Sequence, residues 1–272
     1  MPIMTPRNIP PLVLLYAQNG MGKTTLACMA SKPLIICADG RSDLILGRAP
    51  ILGEPNTFSE LLSLVQEALE IANEQQALPY SKREYHTLII DDLSSVARLG
   101  EEELLAKYSD AKNYTMGSIC GGFFKAYDHS MDKHHAPIAK LIREIRRAGM
   151  MVVLTCQAGT ASVDNPTFDQ AINQWQPSLY FSKTGSIGGM WCDLATVIGF
   201  LTMESSFKSA SSKTGQLSRA NAGERVVLFD GNFRFRAKHA WPNHEPELPA
   251  DETFWSRLFS KQAKPEAAPA SE

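Results

Sequence analysis

Short apolar runs and amphipathic segments alternate along most of the chain. The apolar runs at residues 12–16, 34–37, 87–90 and 151–156 each end in small or polar residues, which is typical of buried strands. Between the second and third runs, Thr57 is the predicted N-cap of a helix, with Glu60 three residues later. Residues 57–76 then place apolar side chains at helical spacing. Strands that alternate with helices predict an α/β fold, with a mostly parallel central sheet covered by helices on both faces.

Regular patterns are weaker in the middle of the chain. Residues 109–122 are rich in small and polar side chains and predict a loop. The region that follows predicts a helix broken near Pro137, because proline removes a backbone donor and crowds the preceding turn. Another buried strand is predicted over residues 193–201.

The last third of the chain predicts one mobile segment and one hairpin. Residues 205–224 contain few apolar side chains and predict a mobile stretch. Residues 225–238 predict a C-terminal β-hairpin that turns at residues 230–232. The chain is therefore expected to form a single domain over residues 1–240, with a partly disordered C-terminal extension over residues 241–272.

The first strand leads directly into a phosphate-loop pattern. Residues 17–24, AQNGMGKT, fit G-x-x-x-x-G-K-[ST], with Ala17 in place of the first glycine. Gly20 and Gly22 allow the backbone to curl around phosphate oxygens, and Lys23 can reach the terminal phosphates. The predicted nucleotide-binding residues are Ala17, Gln18, Asn19, Gly20, Met21, Gly22, Lys23, Thr24 and Thr25.

Polar side chains follow the carboxyl ends of the other predicted strands, where ligands bind in an open parallel sheet. Asp91 ends its strand and can hold Mg²⁺ together with the Thr24 hydroxyl, the Walker B role. Either Asp39 or Asp92 could position the attacking water as the base. Gln157 is suited to sensing the terminal phosphate, because a neutral amide can donate to a phosphate oxygen.

Composition narrows the remaining choices. The formal net charge is −2, so any nucleic-acid surface must be a local patch. The five cysteines are widely separated without a C-x-x-C pair, which favours a reducing cytoplasm and no structural zinc. No apolar run approaches the length needed to span a membrane. An N-K-x-D sequence does not occur, so ATP is expected rather than GTP.

One further cluster has two interpretations. The segment DHSMDKHH, residues 128–135, contains Asp128, His129, Asp132 and His135, which could bind a metal ion. The plainer interpretation is the polar face of a helix.

The order of the motifs YAQNGMGKTT, IICADGRSD, TLIIDDLSS and VVLTCQAG resembles the RecA-like ATPase core over roughly residues 10–240. It is most similar to the small phage-encoded branch, the Sak-type single-strand annealing proteins. The resemblance implies Asp39 as the base, since the RecA-like catalytic carboxylate follows the second core strand. In AAA+ proteins the base follows the Walker B aspartate, which would be Asp92. The resemblance also implies that Gln157 links the phosphate state to the DNA-binding loop that follows it.

The same resemblance implies a catalytic contribution from the neighbouring subunit. In RecA-like oligomers, basic residues late in the core reach the terminal phosphate of the neighbour's nucleotide. Arg236 and Lys238 lie on one strand face by period two and are the candidates here. An ordinary half-buried edge strand explains the same alternation.

The leading hypothesis is an ATP- and Mg²⁺-dependent phage-type ATPase that binds single-stranded DNA during recombination or replication in the host cytoplasm. Its expected partners are single-stranded DNA, further copies of the chain in a ring or filament, and a single-strand binding protein, without a membrane. DNA is expected to contact the loop after Gln157 and the segment from Lys208 to Arg219, with Trp175 or Phe207 stacking on bases. The alternatives are an AAA+-like helicase loader or packaging motor, and a nucleotide-gated scaffold with little turnover.

Overall fold

A computed structural model describes residues 9–108, 114–163, 171–182, 186–203 and 223–260. Within them lie ten strands: β1 (Leu12–Ala17), β2 (Pro33–Cys37), β3 (Ile51–Gly53), β4 (Thr87–Asp91), β5 (Met151–Val163), β6 (Ile172–Pro177), β7 (Val197–Met203), β8 (Arg225–Leu228), β9 (Lys238–His239) and β10 (Glu247–Pro249). The helices are α1 (Lys23–Cys28), α2 (Phe58–Gln76), α3 (Leu93–Ala106), α4 (Lys125–Ser130), α5 (Ala136–Arg147), α6 (Ile187–Leu194) and α7 (Phe254–Ser260), with a π-helical turn at Met131–His135.

The strands form one sheet in the order β10-β8-β7-β1-β5-β4-β2-β3, with β6 paired to β5 and β9 to β7. The pairs from β7 through β3 are parallel, whereas β8 and β10 add to the edge in antiparallel fashion. The α/β class with a mostly parallel sheet is therefore confirmed. Strand β5 lies between β1 and β4. The carboxyl ends of these three strands, where the phosphate loop, Asp91 and Gln157 lie, therefore meet at one edge of the sheet.

Successive residues of the central strands face two separate cores. On one face, Leu14 and Leu154 pack with α2, α3, α5 and α6. On the other, Leu15 and Val153 pack with α1 and α7. Burial on both faces explains why β1 is apolar throughout instead of alternating.

The predicted start of α2 is confirmed. The Thr57 hydroxyl accepts a hydrogen bond from the backbone N–H of Glu60 at 3.2 Å. The Glu60 carboxylate accepts in turn from the N–H of Asn56 at 2.7 Å. These two bonds satisfy backbone donors that the first turn of a helix leaves free.

The break predicted near Pro137 is a π-helical turn within a continuous helical stretch. The turn covers Met131–His135, and Pro137 lies in the first turn of α5. The wider turn accommodates the missing proline donor and the proline ring without ending the helix. The predicted loop at 109–122 is irregular over its described residues 114–122.

Helix α6 has no counterpart among the predicted elements. The glycines at its start indicate a loop by composition, yet Gly188 is required by packing: a Cβ there would lie 2.3 Å from the ring of Phe181. Ser186 caps the helix by accepting from the N–H of Gly189 at 2.9 Å. A tertiary contact therefore decides the residue type at this position.

The predicted hairpin at residues 225–238 is wrong. Its two arms, β8 and β9, do not pair with each other; both run antiparallel to β7, at Met203 to Phe200 and at Ile198 to Val197 respectively. The intervening residues leave the sheet and pair with Trp175 instead, since Arg236 donates its N–H to the Trp175 carbonyl at 2.9 Å. The turn residues Asp230, Gly231 and Asn232 predict a hairpin, but both arms form their hydrogen bonds with β7.

A two-stranded ribbon replaces the polar loop expected after Gln157. Strand β5 continues beyond the parallel sheet, and its residues 158–163 pair antiparallel with residues 172–177 of β6. Trp175, expected to stack on bases, is half-buried and stacks against Phe200 with ring centroids 6.2 Å apart. The tip at 164–170 lies outside the described residues.

Part of the expected C-terminal extension packs on the main body. Strand β10 pairs with β8, and Phe254, Trp255 and Leu258 of α7 join the core on the α1 face. The Trp255 indole donates to the Leu26 carbonyl at 2.8 Å. Residues 204–222 and 261–272 lie outside the described residues. The first of these ranges contains Phe207, Lys208, Lys213 and Arg219.

Candidate nucleotide-binding site

The loop between β1 and α1 has the conformation that the phosphate-loop pattern requires. Gly20 and Gly22 have φ angles of 77° and 92°, a left-handed region that other residues adopt only with strain. Gly22 caps α1, so that Lys23 is the first helical residue. The loop therefore exposes its backbone at the positive end of a helix, where anions bind.

Lys23 is buried and points back over the loop. Its ammonium donates to the carbonyl oxygens of Ala17 and Gln18 at 3.1 and 3.3 Å, and to Oε1 of Gln157 at 3.1 Å. Burial lowers the pKa of this ammonium, whereas the carboxylates of Asp92 and Asp91 act in the opposite direction. The positive charge is thus held at the point where terminal phosphates are expected.

Asp91 lies at the end of β4 with both oxygens occupied. Thr24 donates to Oδ2 at 2.7 Å, and Thr155 donates to Oδ1. Burial raises the pKa of the Asp91 carboxyl, and the two hydroxyl donors counteract that rise. A buried carboxylate beside a threonine hydroxyl is the hard oxygen donor set that Mg²⁺ prefers, so Thr24 and Asp91 fit the predicted metal role.

A chain of hydrogen bonds joins Lys23 to Asp92 through Gln157. The amide of Gln157 accepts from Lys23 through Oε1 and donates from Nε2 to Oδ2 of Asp92 at 2.8 Å. An ammonium can only donate and a carboxylate only accept, so the two ends fix the orientation of the amide. Asp92 also caps α3 by accepting from the N–H of Ser95 at 2.8 Å.

Asp39 lies at the same edge of the sheet, but it is held by Arg41. The two side chains form an ion pair of 2.6 Å between Nη2 and Oδ2, and the Arg41 backbone N–H donates to Oδ1 at 3.2 Å. The hydrogen bond and charge of Asp39 raise the pKa of the Arg41 guanidinium. Of the two candidate bases, Asp39 is therefore paired with a cation, whereas Asp92 accepts hydrogen bonds from a backbone N–H and an amide.

These side chains line a cavity of about 340 Å³. Its walls are Asn19, Gly20, Gly22, Lys23, Thr24, Thr25, Asp39, Arg41, Leu44, Ile45, Arg48, Asp91, Asp92 and Gln157. The volume is in the usual range of small-ligand sites. Glycines that leave room for the ligand, a buried ammonium and the Thr24–Asp91 pair together fit a magnesium nucleotide.

Three contributors to this site were not assigned from the sequence. Thr155 precedes Gln157 by two residues and shares its strand face, a period that could have indicated it. Arg41 follows Asp39 by two residues in a short polar stretch. Arg48 donates to the hydroxyl of Thr25 at 2.5 Å across 23 positions, a contact for which the sequence contains no signal.

Two predicted catalytic residues are not part of the cavity. Lys238 donates to the carbonyl oxygens of Cys192 and Asp193 at 3.0 and 3.2 Å, at the end of α6. The guanidinium of Arg236 lies 4.9 Å from the ring centroid of Phe181. Neither is among the described residues that line the cavity, so their action across a subunit boundary stays a prediction.

The DHSMDKHH segment does not form a metal site in the part of the chain that is described. No group of three His, Cys, Asp or Glu side chains there is placed to hold a metal ion. The polar-face interpretation is also only partly right, because His134 and His135 are buried. His135 accepts a hydrogen bond from the indole of Trp191 at 3.0 Å.

A family model described as an AAA domain, AAA_24, matches residues 9–241. The chain belongs to the AAA_24 family. This AAA domain is therefore a P-loop ATPase by family, as the loop and strand-end residues predicted. No curated protein matches it.

Solved structures also resemble the AAA_24 chain. One is the RadB recombinase, with 13% identity, 81% of each chain covered and a TM-score of 0.39. Another is a KaiC-like protein from the hyperthermophilic archaeon Pyrococcus horikoshii OT3, with 14% identity, 81% and 78% coverage and a TM-score of 0.37. Among the described helices, none combines the length and apolar character that crossing a bilayer needs.

Proposed function

We propose that this AAA domain hydrolyses ATP to control its binding to single-stranded DNA in recombination or replication, acting as a homo-oligomeric ring or filament. The observation that carries the proposal is the position of Gln157. Its side chain joins Lys23 to Asp92 inside the phosphate cavity, and its backbone is the point where β5 leaves the parallel sheet for the ribbon. One residue thus touches both the expected phosphate site and the expected DNA-binding element.

Nucleotide binding would change the partners of Gln157. Phosphate oxygens are stronger acceptors for the Lys23 ammonium than the neutral amide oxygen that it contacts now. Once Lys23 turns to phosphate, the Gln157 amide is free to reorient toward the phosphate or the attacking water. The backbone carbonyl of Gln157 accepts from the N–H of Ser178 at 2.7 Å, so a shift at Gln157 reaches both strands of the ribbon at its base.

The ribbon supports the DNA part of the proposal by its surface. Outward positions such as Thr160, Ser162 and Asn173 are exposed and polar, and Trp175 provides a ring near the base of the ribbon. The cations that phosphate contacts need would come from Lys208, Lys213 and Arg219, outside the described residues. The similarity of the motifs to Sak-type annealing proteins makes phage recombination the proposed setting.

The test is ATP turnover with and without single-stranded DNA, in the wild type and in Gln157→Ala. We expect DNA to stimulate the wild type. Gln157→Ala should still bind ATP through the loop but lose the stimulation, because the link between phosphate and ribbon is removed. The matched control is Gln174→Ala, which removes a ribbon side chain bonded to the Asn232 carbonyl and should keep the stimulation. Nucleotide binding without measurable turnover would instead favour the nucleotide-gated scaffold.

Membership of the AAA_24 family supports a second candidate, an AAA+-like helicase loader or packaging motor. Such proteins require a helical lid after the core, whereas the described residues after β7 form β8, β9, β10 and the single short helix α7. Turnover that responds to double-stranded DNA or to a helicase, and not to single-stranded DNA, would favour this candidate.

A further inference from the structure

Arg225 places a guanidinium directly against the phosphate loop. It is the first residue of β8, and its side chain extends to Gly22, the residue that caps α1. A Cβ added to Gly22 would lie 3.0 Å from Nη1 of Arg225 and 3.9 Å from its Cζ. The phosphate-loop pattern ends at Thr24, so this cation comes from a strand just over two hundred positions later in the chain.

Arg225 is exposed, and no hydrogen bond or ion pair engages its side chain among the residues that the structure describes. Arg225 is not among the described residues that line the phosphate cavity, but it adjoins that cavity at Gly22, which is one of them. A guanidinium beside Gly22 therefore adds a cation with free donors to the loop whose backbone is expected to cradle phosphate oxygens.

The backbone holds this arrangement in place. Arg225 pairs with Met203 of β7, whose neighbour in the sheet is β1, the strand that leads into the loop. On its other side, the Arg225 carbonyl accepts from the N–H of Ala250 at 2.8 Å. The guanidinium is therefore presented to the loop of its own chain from a strand fixed on both sides.

We infer that Arg225 binds the α- and β-phosphates of the nucleotide held by its own chain. The part of the loop around Gly22 cradles these phosphates, whereas Lys23 reaches the terminal ones. The planar guanidinium can donate two parallel hydrogen bonds to phosphate oxygens. This assignment differs in position and in subunit from the contribution predicted for Arg236 and Lys238. It rests on the proposed function only in that the ligand is a nucleotide.

Contact with the α- and β-phosphates has a specific consequence. Both ATP and ADP contain these groups, so losing the contact should weaken both nucleotides by the same factor. The rate of hydrolysis at saturating ATP should fall by a smaller factor than the affinity does, because most of the contact is already made in the bound ground state and only the charge gained by the leaving β-phosphate adds to it. A residue that acts on the γ-phosphate would show the opposite pattern.

The experiment measures equilibrium binding of Mg·ATP and Mg·ADP to Arg225→Ala, Arg225→Lys and Arg98→Ala. We expect Arg225→Ala to weaken both nucleotides by roughly 10- to 100-fold. Arg225→Lys should lose less, because it keeps the charge without the fork. Arg98→Ala removes an exposed arginine paired with Glu102 on α3 and should bind as the wild type. Nucleotide-free melting temperatures check that the variants are folded.

Unchanged binding in Arg225→Ala, or weaker binding of ATP alone with slower turnover, would overturn the assignment. If Arg225→Ala does not fold, Arg225→Lys decides the question, since wild-type affinity for both nucleotides would also overturn it. Lys23→Ala separates this inference from the proposed function. Lost binding in Lys23→Ala with normal binding in Arg225→Ala removes only the role of Arg225, whereas normal binding in Lys23→Ala removes the nucleotide site itself.

Discussion

Asp39 and Asp92 both line the phosphate cavity, but their hydrogen-bond partners differ, and this affects how readily each could accept a proton. Asp39 is paired with Arg41, so it can accept a proton only after the guanidinium has moved. A phosphate anion in the cavity would attract Arg41 and provide that movement. Asp92 accepts from the Ser95 N–H and the Gln157 amide, so it holds α3 and Gln157 in place. We therefore retain Asp39 as the expected base.

The comparison of Asp39→Asn with Asp92→Asn tests this assignment. We expect Asp39→Asn to bind Mg·ATP nearly as the wild type does and to lose turnover by about 10²-fold or more, because the amide cannot take a proton. Asp92→Asn should retain more activity, since asparagine caps a helix as well as aspartate does. Asp43→Asn, an exposed carboxylate on the same segment, is the control. A normal rate in Asp39→Asn together with an inactive Asp92→Asn would assign the base to Asp92.

At the scale of elements, the π-helical turn and α6 are joined by one buried hydrogen bond. The Trp191 indole donates to Nδ1 of His135, and both side chains are fully buried. Burial lowers the pKa of His135 to about 3, so the ring is neutral in the folded protein. The sequence predicts His135 as a metal ligand or as part of a polar helix face, whereas in the structure it connects two helical elements inside the core.

The lowered pKa of His135 predicts that the protein loses stability in acid. Between the unfolded pKa near 6.5 and the folded value of about 3, the unfolded chain binds a proton at His135 and the folded chain does not. The free energy of unfolding should therefore decrease by about 1.4 kcal/mol per pH unit as the pH falls below 6.5, from this residue alone. Urea unfolding of the wild type and His135→Gln at pH 7.0 and 5.0 measures the difference. An equal loss in both proteins would show that His135 does not cause it.

At the scale of the whole molecule, the predicted catalysis between subunits would use Arg236 and Lys238, which do not line the phosphate cavity of their own chain. Lys238 already closes the end of α6, so Lys238→Ala should lower stability as well as any activity in trans. Arg236 lies on the ring of Phe181 and is the cleaner candidate for reaching a neighbouring site.

Mixing two inactive variants tests this arrangement. Arg236→Ala should bind ATP but lose DNA-stimulated turnover, and Lys23→Ala should bind no ATP. Mixed assemblies should regain part of the activity, because some interfaces combine an intact loop with an intact Arg236. The control mixes Lys23→Ala with wild-type subunits in the same ratio. The idea fails if assemblies shown to be mixed regain nothing, or if Arg236→Ala alone is fully active.

The sequence was sufficient for the features that depend on neighbouring positions. Apolar runs ending in polar residues located the parallel strands other than β3, and the capping pattern at Thr57 located the start of α2. The spacing from Gly20 to Thr24 located the phosphate loop, because its function depends on consecutive backbone conformations. The carboxyl ends of β2, β4 and β5 then gave Asp39, Asp91, Asp92 and Gln157 as site residues, since parallel strands bring these ends to one edge.

Tertiary structure decided what depends on which strands become neighbours. Strand β5 inserts between β1 and β4, and only this order allows Gln157 to bridge Lys23 and Asp92. The two arms of the expected hairpin pair with β7 and not with each other. The pairing of β8 with β7 also places Arg225 beside Gly22. Contacts such as Arg48 with Thr25 and Trp191 with His135 likewise join distant positions. Local periodicity specifies the type of an element, but distant contacts form by packing and charge once the elements have assembled.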